Sequence, residues 1–373
     1  MEPLDDDNSR HWAEPGVYRV APGVYRIPLP LPNDALRAVN VYAITDGDSL
    51  VLIDSGWALD EAEDQLAAGL KGLGAELGDV SQFLVTHVHR DHYTLAVTLR
   101  RKFGGRIALG LLEEPSLRIA GEPGALTMGA QVRLLKRAGG DTVIAELAEM
   151  FADRSPGTAA ELWENPDEWL TPGRRTVLPG RDLDVVHTPG HTAGHVVFAD
   201  GAAGLLFSGD HVLPHITPSI GFQPAPSELP LREYLGSLRV VRDMPDLRML
   251  PAHGPVSPSV HARVDELLAH HDQRLDQTME TIASGAETAY ESATRLAWTR
   301  RERKLTELDP MNQMLAVLET GAHLDLLVAQ GRLAAADDDG VRRYTLASAA
   351  SSSASRCAPG ASTGKCPAPS SGT

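Results

Sequence analysis

The sequence predicts an α/β protein, on two observations. Short runs rich in β-branched and aromatic residues alternate with segments of helical pattern, and side chains of metal-ligand type collect where four of the apolar runs end. Gly16-Val17-Tyr18-Arg19-Val20 and Gly23-Val24-Tyr25-Arg26-Ile27 are near-copies, each following a proline, and read as short strands joined by a turn. Residues 60–73 read as a helix ended by Gly74, and residues 93–103 as a second that stops at Gly104-Gly105.

Between those helices lies the densest chemistry. Phe83-Leu84-Val85 runs directly into Thr86-His87-Val88-His89-Arg90-Asp91-His92. Imidazoles at i and i+2 in a turn after a strand can converge on one cation, and Asp91 and His92, just beyond, are placed to hold a second. Histidine nitrogens with a carboxylate suit zinc or another borderline first-row metal, so iron and manganese stay open. Two such cations roughly 3.5–4 Å apart form a hydrolytic centre rather than a structural clip.

Three further strand-like runs deliver ligand-type residues in the same way. Leu183-Asp184-Val185-Val186 enters His187-Thr188-Pro189-Gly190-His191-Thr192-Ala193-Gly194-His195, Leu205-Leu206-Phe207-Ser208 ends at Gly209-Asp210, and Arg248-Met249-Leu250 leads through Pro251-Ala252 to His253-Gly254. Strand ends are rigid, and the loops after them are free to carry chemistry. Glycines beside His191, Asp210 and His253 let the backbone turn tightly there.

The order His-x-His-x-Asp-His, Gly-His-Thr-x-Gly-His, Gly-Asp, Ala-His-Gly resembles the metallo-β-lactamase superfamily of hydrolases, with Leu52-Ile53-Asp54-Ser55-Gly56 similar to its first strand-and-turn signature. The resemblance spans roughly residues 20 to 260 and implies a four-layer αββα sandwich. It implies that His87, His89 and His191 hold a first metal, that Asp91, His92 and His253 hold a second, and that Asp210 bridges them. A hydroxide between the two metals is then the nucleophile, with Asp91 as proton shuttle. An aspartate bridge resembles the glyoxalase-II-like, lactonase-like and nuclease-like branches, and it lowers the expectation of antibiotic hydrolysis.

Other residues carry less. Asp54 either orients a ligand imidazole or stabilises its own turn. His187 and His195 are expected to hold their loop by hydrogen bonds. His211 and His215 could line the pocket, as solvated histidines would also do, and His270 and His271 read as surface residues of a helix. Tyr93 departs from the small residue common in the family, and packing is its expected role.

Composition adds exclusions. The net charge of −16 argues mildly against a polyanionic partner. No apolar run is long enough to span a bilayer, and Met1 to Arg10 is acidic and polar, so a cytoplasmic location without a signal peptide is expected. Cys357 and Cys366, the only cysteines, belong neither to a disulfide framework nor to the metal site.

The chain is expected to divide into a flexible stretch over 1–15, a metal-binding domain over 16–259, a helical domain over 260–346 and a disordered tail over 347–373. A helical insertion over about 111–170 interrupts the metal domain and is expected to cover the cleft as a lid, with Ile216, Ile220 and Phe222 of the loop 214–226 as the opposite wall. Residues 261–284, 288–297 and 311–329 read as helices, followed by a hairpin around an Asp-Gly turn. This order resembles the winged-helix-like domain appended to some members of the superfamily. Arg295, Arg300, Arg301, Arg303 and Lys304 form a basic cluster that reads as a solvated connector.

The expected function is therefore that of a dinuclear metal-dependent hydrolase, with two zinc ions, acting on a thioester or lactone of a small molecule. An RNA or DNA phosphodiesterase is the alternative. A β-lactamase, a mononuclear iron sulfur dioxygenase and a non-catalytic DNA-binding regulator rank lower.

Overall fold

The structure, a computed structural model, describes residues 2–7, 9–32, 36–122, 128–152 and 160–347. An eight-stranded sheet runs in sequence order: β1 (Leu4–Asp5), β2 (Tyr18–Ala21), β3 (Val24–Pro30), β4 (Ala38–Asp46), β5 (Ser49–Ile53), β6 (Val80–Val85), β7 (Arg106–Gly110) and β8 (Glu168–Leu170). A five-stranded sheet comprises β9 (Gly173–Leu178), β10 (Arg181–His187), β11 (Val196–Asp200), β12 (Leu205–Gly209) and β13 (Arg248–Pro251), with β13 on the edge, parallel to β12. Helices α1 (Asp60–Gly72) and α2 (Arg90–Phe103) join the parallel strands β5, β6 and β7.

Side-chain alternation decides the layers, because successive strand residues face opposite ways. On β4, Tyr42 and Ile44 point into the space between the sheets, where they meet Phe198, Phe207 and Leu250. Val39, Val41 and Ala43 point outward, under Leu66 and Leu70 of α1 and Leu95 and Leu99 of α2. On the second sheet Val197, Leu206 and Met249 face away from the first, against Leu238 and Val241 of α6 (Pro230–Asp243). The result is the expected αββα sandwich. Each fully buried aliphatic side chain in these layers contributes roughly 1.5–3 kcal/mol through loss of water contact.

The insertion supplies α3 (Glu114–Gly121), α4 (Gly129–Arg137) and α5 (Asp141–Phe151). It is not helical throughout: Glu168–Leu170 joins the first sheet, parallel to β7, and Trp169 packs with the cluster beneath α1 and α2. After β13 come α7 (Val260–Ala283), α8 (Ala289–Arg295), α9 (Pro310–Ala329) and the hairpin of β14 (Leu333–Asp338) and β15 (Val341–Leu346). Leu135 of α4, Leu147 of α5, Val264 of α7 and Val317 and Leu324 of α9 all belong to the apolar cluster outside the second sheet.

Two expectations need correction. Residues 1–15 are not uniformly loose, since Leu4–Asp5 pairs with β2 and Asp6 forms a buried ion pair with Arg26 at 2.7 Å. The buried guanidinium needs a carboxylate, and the N-terminal segment brings it. The connector arginines are not all solvated either. Arg295 caps the C-terminal end of α7 by donating to the carbonyls of Thr281, Ser284 and Gly285, and Arg300 donates to the His215 carbonyl at 2.9 Å. The cysteines and nearly all of the expected tail lie outside the described residues.

Candidate metal centre

Every expected ligand stands at the end of its expected strand. β6 ends at Val85; His87 and His89 follow in the turn, and Asp91 and His92 occupy the first turn of α2. The loop after β10 brings His191, the end of β12 brings Asp210, and β13 leads into His253. The two sheets are joined here, where Val196 N–H donates to the Thr86 carbonyl and Asn40 Nδ2 donates to the carbonyls of Pro251 and Gly254. Gly190, Gly209 and Gly254 all have positive φ. A Cβ on Gly209 would stand 2.7 Å from His195 Nε2 and 2.8 Å from Thr86, so the close approach admits no side chain.

The donor atoms form two groups. His87 Nε2, His89 Nδ1 and His191 Nε2 lie 3.0 to 3.2 Å from one another. Asp210 Oδ2 is 3.4 Å from His191 Nε2 and 4.0 Å from His87 Nε2. In the second group, Asp91 Oδ2 lies 3.6 Å from His92 Nε2 and 3.4 Å from His253 Nε2. Asp210 Oδ1 reaches the same two nitrogens at 3.8 and 3.3 Å. The two oxygens of Asp210 thus face different groups.

Hydrogen bonding sets which nitrogen of each ring is free. His89 Nε2 donates to the Phe222 carbonyl, His191 Nδ1 to the Ser219 carbonyl and His253 Nδ1 to the Ala38 carbonyl. His92 Nδ1 donates to Asp54 at 2.9 Å. The Thr86 hydroxyl donates to Asp54, so it accepts from His87 Nδ1. In its neutral form each ring therefore turns a bare lone pair toward its group. Three lone pairs about 3 Å apart repel one another, whereas a cation with nitrogens at about 2.05 Å in tetrahedral array needs them about 3.3 Å apart. Among the described residues, His92 Nε2, His253 Nε2 and Asp210 Oδ1 are buried with no hydrogen-bond partner. The donor set fits divalent cations.

Electrostatics agree. Burial and the neighbouring imidazoles push His87 well below the ordinary histidine value, and burial takes His89 down to about 3, so both are neutral ligands. Burial opposes charge on His92, but Asp54, Asp91 and Asp210 outweigh it and push the ring up to about 10. Burial likewise raises the Asp91 carboxyl, and His92 and His253 more than reverse it, leaving the group below its usual range. The second group is a place where positive charge is wanted.

The surrounding residues sort accordingly. Asp54, at φ 60° and 2% exposed, is the oriented partner of His92, and it also accepts from Thr86 N–H. His187 donates to the Ala193 carbonyl, and His195 Nε2 accepts from Asp210 N–H, so both hold the loops as expected. Tyr93 is buried and donates to the Glu164 carbonyl. His211 is buried behind the site and His215 is exposed. Of the expected wall, Phe222 stands 5.9 Å from the His89 ring, whereas Ile220 turns into the apolar cluster outside the second sheet.

Sequence reasoning missed Gln223, whose buried side-chain oxygen accepts from Ala193 N–H at 3.0 Å and from Ser116 of α3 at 3.4 Å. Its backbone carbonyl accepts from Gln131 of α4. The insertion thus braces the loop whose carbonyls orient His89 and His191. Also missed was His271, which is fully buried rather than on the surface. It falls in the sequence Val264, Leu267, His271, Leu275, Thr278, whose helical spacing marked the inner face of α7.

Comparison with known proteins agrees with this geometry. The family described as the metallo-beta-lactamase superfamily matches residues 34–253. A "Beta-lactamase-like protein 2 homolog" of Drosophila melanogaster is 28% identical over 268 residues, 71% of this chain and 76% of that protein. An "Atrochrysone carboxyl ACP thioesterase" of Aspergillus fumigatus is 24% identical over 270 residues, 72% of this chain but only half of that protein. A crystal structure of a metallo-beta-lactamase family protein from Thermus thermophilus superposes with a TM-score of 0.71 at 28% identity, covering 88% of this chain and all of that one. The family match covers more than half of the chain and ends on His253, the last of the converging donors, so the chain belongs to the metallo-β-lactamase superfamily and is a metal-dependent hydrolase.

Proposed function

We propose that the chain hydrolyses a thioester of a small acyl group, using two zinc ions. The observation that carries the two-metal reading is Asp210, whose oxygens stand 3.4 Å from His191 Nε2 and 3.3 Å from His253 Nε2 in separate donor groups. His87, His89 and His191 would hold one ion, Asp91, His92 and His253 the other, with Asp210 shared. When bound, such ions supply Lewis acidity and lower the pKa of water toward neutrality.

The protein's own share is orientation and proton handling. The carbonyls of Phe222, Ser219 and Ala38 and the Asp54 carboxylate keep each imidazole in its ligand tautomer. Asp91, with its side chain 15% exposed against 9% for Asp210 and 3% for Asp54, would take a proton from the attacking water and pass it to the leaving thiolate.

Apolar surface supports an acyl substrate. Leu111 and Leu112 are 45% and 51% exposed, and the Leu112 main chain passes close to Gly194 of the loop carrying His191. Phe222 lies beside His89. The relative that is named a thioesterase supports the same bond type. Among the described residues no helix is long and apolar enough to cross a membrane.

The test is hydrolysis of a panel of acyl-CoA thioesters by zinc-loaded protein beside Asp91→Ala. Turnover that disappears in the variant is expected. No thioester turnover by protein carrying two metals would reject the substrate class in favour of lactones or nucleic acid.

A further inference from the structure

We propose that α7 and α9 hold a second, separate cation site, built from His270, His271 and Glu319, for a borderline first-row divalent ion such as zinc. Donor atoms of these three residues lie within 4.8 Å of one another. They share no residue with the donors around Asp210.

The hydrogen bonds of the buried histidines make His271 a ligand in waiting. His323 Nδ1 lies 2.8 Å from the Glu319 backbone carbonyl, which can only accept, so that nitrogen carries the proton. In the neutral ring, which is 1% exposed, Nε2 is then a bare lone pair. His271 Nδ1 lies 3.1 Å from that Nε2 and must donate to it. With its proton on Nδ1, the neutral His271 ring leaves its own Nε2 unprotonated. Among the described residues that atom has no hydrogen-bond partner, and its residue has no exposed surface. A buried acceptor without a donor is costly, and a ring that donates through one nitrogen while presenting the other is the arrangement of a metal-bound histidine.

The other two residues complete the donor set. The Glu319 carboxyl is half-buried within reach of the Arg274 charge. A cation would offset the cost of burying that carboxylate. Arg274 is itself held over the Trp298 ring at 4.1 Å and donates to the Ala297 carbonyl. His270 is exposed, so the site has an entry path from solvent. The His271 ring also contacts Tyr234 of α6 edge-on at 5.5 Å, and the Tyr234 hydroxyl donates to the His211 carbonyl, next to Asp210. An ion here would clip α7 to α9 behind the hydrolytic centre.

The experiment is a metal count. The full chain is stripped with chelator, reloaded with zinc, desalted and measured by mass spectrometry, beside His270→Ala, His271→Gln and Glu319→Gln. One equivalent fewer than wild type is expected in each variant. The count is differential, so it does not depend on how many ions the donors around Asp210 retain. His270 is exposed and its loss should not disturb folding, which decides the matter if a buried variant fails to fold. A folded His270→Ala protein with the wild-type count overturns the proposal. A second readout is heat stability in zinc, where the gain shown by wild type over the stripped protein should shrink in His270→Ala and would be unchanged if no ion binds there.

Discussion

Replacing Asp54 by Asn changes one atom and should disable one metal position. The wild-type carboxylate accepts Thr86 N–H at 2.8 Å and the Thr86 hydroxyl at 3.0 Å through Oδ1, and His92 Nδ1–H at 2.9 Å through Oδ2. Asn tolerates the φ of 60° as Asp does, so the backbone stays. If the amide oxygen remains on Thr86, the amide nitrogen faces His92 Nδ1–H, donor against donor, in a place that is 2% exposed. The ring then escapes by moving its proton to Nε2, the atom facing Asp91 and Asp210, where a protonated nitrogen cannot ligate. If the amide flips, Thr86 N–H loses its acceptor instead. Removing such a partner typically lowers metal affinity or activity 10- to 100-fold, which is roughly 1.4 to 2.7 kcal/mol. The assay is zinc affinity by chelator competition, together with kcat/KM on the best substrate. Affinity and kcat/KM both within threefold of wild type would refute the claim that Asp54 sets the His92 tautomer.

Other predictions follow from the same contacts. Stripping the metals should lower the unfolding temperature, because three lone pairs are left facing one another; each site saturated at a thousand times its Kd is worth about 4 kcal/mol, and an unchanged calorimetric midpoint would contradict it. Gly194→Ala places a Cβ 2.2 Å from the Glu113 backbone nitrogen and should cost at least roughly 1–3 kcal/mol in urea unfolding, with a near-neutral result counting against the close approach. Gln223→Ala leaves Ala193 N–H without its acceptor and should cost roughly 1–3 kcal/mol, with His191 less well oriented and kcat/KM reduced. Burial pushes the Glu113 carboxyl up to about 7 while the Thr192 hydroxyl bond opposes it, so the folded chain binds a proton that the unfolded chain releases near 4.5. Stability should therefore fall as pH rises between those values, by roughly 3 kcal/mol at most, and Glu113→Gln should flatten that slope in chemical unfolding from pH 5 to 7.5.

The seven side chains that converge were legible in the sequence because ligand chemistry is local. His87, His89, Asp91 and His92 lie on one turn and the helix start after it, and His191, Asp210 and His253 each follow a recognisable strand. The layers were legible for a similar reason, since the alternation of Val39, Val41 and Ala43 with Tyr42 and Ile44 already separates two faces. The ordering of Leu4–Asp5 and the strand at Glu168–Leu170 were not, because both form only by joining an edge whose position depends on the rest of the sheet.

Tertiary structure decided what holds the donors still. The atoms that set the ring tautomers are mostly main-chain carbonyls, at Ala38, Ser219 and Phe222, and every residue type has one, so no side chain announces them. The same holds for His271. Its identity is visible in the sequence, but the absence of a partner for its Nε2 depends on a neighbour, His323, that lies 52 positions away and is brought near only when α7 and α9 pack. Residue type and spacing determine which atoms can bind, whereas burial and long-range hydrogen bonds determine which of them are left with a lone pair to offer.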